Sequence, residues 1–89
     1  MRLDSKVHGT LIKNKNGQEI PEDEFIIFRP HDNAVPQMLD YYCSLLELQG
    51  ASKEQVGAVM DLQARVASWR AQHPKRCKVA DVEPGELQT

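Results

Sequence analysis

A chain of 89 residues, 40% hydrophobic and 27% charged, is long enough for one core and too short to be divided between two. Its formal charge of −2 argues against sequence-independent nucleic-acid binding, which needs several Lys and Arg on phosphates, and no apolar run reaches the length of a signal-peptide core or a bilayer span. The two cysteines, Cys43 and Cys77, are far apart with no Cys or His at metal-ligand spacing, so they read as free thiols of a reducing host cytosol, with no metal and no cofactor.

The first elements are β. Lys6 to Lys13, with Val7, Thr10, Leu11 and Ile12, reads as a strand, and Asn14-Lys15-Asn16-Gly17 as its turn, because Asn-Gly accepts positive φ at low cost. The return strand Gln18-Glu19-Ile20 is stopped by Pro21, which has no N–H to give a ladder, and Pro21-Glu22-Asp23-Glu24 is an acidic, solvated connection. Phe25-Ile26-Ile27-Phe28 is the strongest β signal, aromatic and β-branched without polar alternation. It is expected as the central strand of a meander of about three strands.

Two helices follow. Pro30 ends the third strand at Arg29, and Asp32 or Asn33 is placed to cap a helix with Pro36 in its first turn. Val35, Met38, Leu39, Tyr42, Leu45 and Leu46 form its apolar stripe to about Gln49, and Gly50 ends it. Ser52-Lys53-Glu54-Gln55 is a capping box, so a second helix from about Ser52 to Gln72 returns antiparallel, with Val56, Val59, Leu62, Val66 and Trp69 as its stripe. The predicted fold is α+β: an N-terminal antiparallel meander followed by an antiparallel two-helix hairpin, one domain over residues 1–82 with a disordered tail over 83–89.

Chemistry-bearing residues are few, and none forms a catalytic set: no nucleophile has a base in reach, so the chain reads as a binder rather than an enzyme. Arg29, leaving the strand just before a helix start, together with His31, Asp32 and Asn33, could receive a phosphate or carboxylate. The competing reading is structural, with Arg29 paired to Asp32 or a carbonyl and Asp32 as cap. Tyr41 sits at the stripe edge, free to stack on a base, fill a dimer contact or simply lie exposed. Trp69 either plugs the core or leads the basic group Arg70, Lys75, Arg76 and Lys78, which in turn is either a solvated helix end or a patch for a phosphorylated ligand or acidic partner.

Over roughly residues 24–82 the chain resembles a group of small phage and prophage proteins. The likeness is carried by Phe28-Arg29-Pro30-His31-Asp32-Asn33-Ala34-Val35-Pro36 opening a helix, by Trp69, and by Pro74-Lys75-Arg76-Cys77-Lys78-Val79-Ala80-Asp81. In size and layout it is also similar to viral sponge proteins that sequester nucleotide signals of bacterial immunity. That resemblance implies a homo-oligomer that holds a cyclic nucleotide-type ligand without cleaving it. The expectation is therefore an anti-defence sponge or, alternatively, a protein-directed inhibitor or adaptor. Dimerisation is expected through the helical hairpin, since one sheet face and two helices make a small core.

Overall fold

The structure is a computed structural model, and it describes residues 1–88; Thr89 of the expected tail lies outside the described residues. It is α+β: a two-stranded antiparallel sheet of β1 (Leu11–Ile12) and β2 (Glu19–Ile20), then α1 (Val35–Leu48), α2 (Lys53–Gln72) and a 3-10 turn at Pro74–Arg76. The chain divides into two compact units, Met1–Phe28 with the segment from Asp81 onward, and Arg29–Ala80.

In the N-terminal unit, Leu11 pairs with Ile20 and Ile12 with Glu19, and Gly17, at φ +70°, closes the turn by donating its N–H to the Lys13 carbonyl at 3.0 Å. Asn16 helps by accepting the Gln18 N–H on Oδ1 at 2.9 Å. Phe25–Phe28 is not a third strand of this sheet. Ile27 gives its N–H to the Asp4 carboxylate at 3.0 Å, where a ladder would have offered a carbonyl, and the same carboxylate accepts from Lys6 N–H at 2.9 Å and Val7 N–H at 3.0 Å. Those N–H donors, Ile27 first, hold the Asp4 carboxyl below the usual carboxylate range. The 83–88 segment, expected as a loose tail, is tied back: Gln88 N–H donates to the Ser5 carbonyl at 2.8 Å, its own carbonyl accepts from Arg2 Nε at 3.1 Å, and Lys6 pairs with Glu86 at 2.8 Å.

The helical unit follows its sequence signals closely. Gly50 takes φ +77°, and the N–H groups of Gly50 and Ala51 return to the Glu47 and Leu46 carbonyls at 3.1 and 2.9 Å, so the last carbonyls of α1 are satisfied by a Schellman turn. One residue later Ser52 Oγ accepts the Gln55 N–H at 3.1 Å and opens α2. Val35, Leu39 and Cys43, spaced by one turn, meet Val59 and Val66 in the buried seam, with Met38 and Leu46 packed on it. The Cys43 thiol donates to Gln63 Oε1 at 3.4 Å across that seam, and both cysteines are free.

Candidate functional site

Pro74 ends α2 because it has no N–H and clashes with the helix, so the chain turns through Pro74–Arg76 and runs back beside the start of α1. There Lys78 N–H donates to the His31 carbonyl at 3.0 Å and Asn33 N–H to the Lys78 carbonyl at 2.9 Å, a short parallel bridge between Asp32 and Lys78. Arg70 locks the same place: its Nη1 donates to the Pro30 and Asp32 carbonyls at 3.0 and 3.2 Å, and its Nη2 to Asn33 Oδ1 at 2.9 Å. The two groups singled out in the sequence, residues 29–33 and 70–78, therefore form one neighbourhood. A guanidinium fork directed at three oxygens of one turn is what makes them neighbours.

The donors expected at the helix start are already used. Asp32 Oδ1 accepts the Ala34 N–H at 2.8 Å, the Asp32 carbonyl accepts that of Val35 at 3.1 Å, Asn33 N–H goes to Lys78, and Asp32 N–H goes to the Arg29 carbonyl at 3.2 Å. The helix accordingly begins at Val35 with Ala34 as its boundary residue, one position beyond Asn33 and two beyond Asp32, the expected caps, and Asp32 closes an Asx turn on the Ala34 N–H just before the helix. Asn33 serves Arg70 instead of the helix. Arg29 is exposed, and among the described residues its guanidinium makes no hydrogen bond or ion pair; the expected pairing with Asp32 is not made.

What the end of α2 does present is a stacked group. Trp69 and His73 are one helical turn apart, and their rings lie 4.4 Å apart at 25°. The Arg76 guanidinium stands 5.1 Å from the indole centroid. His73 Nδ1 is 2.8 Å from the Trp69 carbonyl, an acceptor only, so Nδ1 carries the proton and Nε2 is the nitrogen left to a ligand. Arg76 and Lys75 are exposed, Trp69 and His73 half-buried. His73 was not among the expected site residues; its signal was the spacing of four from Trp69. Tyr41 is 67% exposed and joined to this group by no hydrogen bond or ring contact.

The N-terminal unit holds a different recess of about 220 Å³ lined by Arg2, Ser5, Lys6, His8, Gly85, Glu86 and Gln88. Its cations are engaged, Lys6 by Glu86 and Arg2 by the Gln88 carbonyl, so it offers an anion less than the α2 end does. Among the described residues no cluster of His, Cys, Asp and Glu could hold a metal ion, and no helix is long and apolar enough to cross a membrane. No protein-family model, curated protein or solved structure matches the chain.

Proposed function

We propose that the chain is a non-catalytic binding protein that holds a negatively charged, nucleotide-type ligand at the end of α2, in the manner of a sponge that sequesters an immune signal in the host cell. The observation that carries this reading is the Trp69–His73–Arg76 stack with Lys75 beside it. Planar cationic and aromatic groups accept a base by stacking, and a guanidinium with a neighbouring ammonium accepts phosphate by charge-assisted hydrogen bonds. Arg29 supplies a further exposed cation one residue from the Pro30 carbonyl that Arg70 holds. The nucleotide class rests on the likeness in size and layout to viral sponge proteins, and the phage setting on the resemblance to small phage and prophage proteins.

A thermal-shift panel of cyclic dinucleotides, cyclic ADP-ribose isomers and mononucleotides tests it, since a ligand that binds only the folded state raises the melting temperature. A shift that Arg76→Ala abolishes is expected. A panel without any shift contradicts the reading.

One observation favours a second reading, an inhibitor or adaptor that acts on another protein. At about 100° per residue, apolar side chains cover more than half of the circumference of α1, and the seam with α2 takes the Val35–Leu39–Cys43 side with Met38 and Leu46 packed on it. Tyr41 is left 67% exposed and Leu48 83%, with Tyr42 at 45%. For this reading a partner's binding is expected to fail with Tyr41→Lys or Leu48→Glu and to be indifferent to Arg76→Ala.

A further inference from the structure

Phe25–Phe28 is built like a strand and has no strand beside it. Its burial alternates, with Phe25 at 8% exposure, Ile27 half-buried, and Ile26 and Phe28 at 61% and 56%. That is the period of an extended chain with one covered face. In such a chain successive N–H groups point to opposite edges. The Ile27 edge is filled by the Asp4 carboxylate at 3.0 Å. On the other edge, the N–H and C=O groups of Ile26 and Phe28 have no hydrogen-bond partner among the described residues.

We propose that this edge is a homodimer interface, in which Phe25–Phe28 pairs antiparallel with the same segment of a second copy about a twofold axis at Ile27. In that register Ile26 faces Phe28 of the second copy, and the two exchange both N–H···O=C bonds; the axis repeats the pair, so the four free donors and acceptors of each chain are all satisfied. The two exposed side chains fall on one face as an aromatic and β-branched cross-strand pair.

Charge selects a second copy in this direction. The segment is preceded by Glu22-Asp23-Glu24 and followed by Arg29, so antiparallel pairing sets each acidic end beside the other chain's Arg29, whereas parallel pairing would set like beside like. Pro21 and Pro30 bound the segment, and with the Ile27 edge closed by Asp4 the pairing stops at two chains. This interface needs no ligand, and the proposal does not rest on the α2 reading.

Sedimentation equilibrium on the full chain tests it. The wild-type chain is expected to form dimers at micromolar concentration, and Ile26→Lys and Phe28→Glu each to weaken the dimer by about tenfold or more, because each puts a charge against an apolar side chain. The double variant places opposite charges in register and is expected to regain most of the loss. Phe28→Pro deletes an N–H that the chain itself does not use, so it is expected to be monomeric with unchanged helix content by circular dichroism. A wild-type chain that is monomeric at roughly 100 µM overturns the proposal. So do single variants that dimerise as tightly as wild type, a double variant no tighter than its weaker parent, or a dimeric Phe28→Pro chain.

Discussion

Arg70 and Arg76 lie on consecutive turns of the same basic run, yet the structure gives them different work. Arg70 spends its guanidinium on the Pro30 and Asp32 carbonyls and Asn33 Oδ1, whereas among the described residues the Arg76 guanidinium makes only a contact with the Trp69 ring. Arg70→Ala is therefore expected to lower stability by about 1.5–3 kcal/mol, the scale of charged hydrogen bonds, and Arg70→Lys to recover little of it because an ammonium lacks the fork. Arg76→Ala and Arg29→Ala are expected to cost under about 1 kcal/mol, the scale of an exposed cation–π contact or less. Urea denaturation of the three alanine variants measures this directly. Asp4 gives the matching case in the N-terminal unit. Its carboxylate is stabilised by three N–H groups, so its folded pKa lies below the unfolded one, and the stability it contributes is present above the ordinary carboxylate range and lost as pH falls through the lowered value. Asp4→Ala is expected to cost about 1–2 kcal/mol at neutral pH, as for a lost cap, and to flatten the acid side of the stability profile. None of this was legible in the sequence, because a run of basic residues does not say which of them faces a carbonyl, and Asp4 reaches residue 27 only after the chain has folded.

Where a signal is local, the elements follow it. The Gly50 stop and the Ser52 cap each depend on hydrogen bonds within a few residues, and both form as expected. The Asn16-Gly17 turn forms for the same reason, although its strands are shorter than Lys6–Lys13 suggested. Phe25–Phe28 failed as a central strand because a strand needs a partner at long range, and propensity is silent on where that partner comes from. The start of α1 lies past both expected caps because Asp32 turns its carboxylate to the Ala34 N–H in an Asx turn and Asn33 gives its side chain to Arg70. Two substitutions test the helical unit. Gly50→Ala is expected to destabilise by about 1–2 kcal/mol, since an L side chain at φ +77° is strained. Leu39→Ala is expected to cost about 2–4 kcal/mol by opening the Val35–Val66 seam. Thermal melts of both, followed by the far-ultraviolet helix signal, provide the check.

At the scale of the whole molecule, the two compact units carry separate features: the free edge at Ile26 and Phe28 in one, the Trp69–His73–Arg76 stack in the other. The stack was half legible. Trp69 and the basic run stood out in the sequence, but His73 joined them only through helical spacing and Arg76 only through the 3-10 turn that Pro74 starts. The ligand claim is tested most directly by calorimetric titration of the wild-type and Arg76→Ala chains with whichever phosphorylated ligand gives the largest thermal shift, alongside the melting temperature of each free protein. The expected result is saturable binding by wild type, a loss of about tenfold or more in Arg76→Ala, and free-protein melting temperatures within a few degrees of each other. Equal affinity in the two chains, or no binding by wild type, would contradict an anion site at the end of α2.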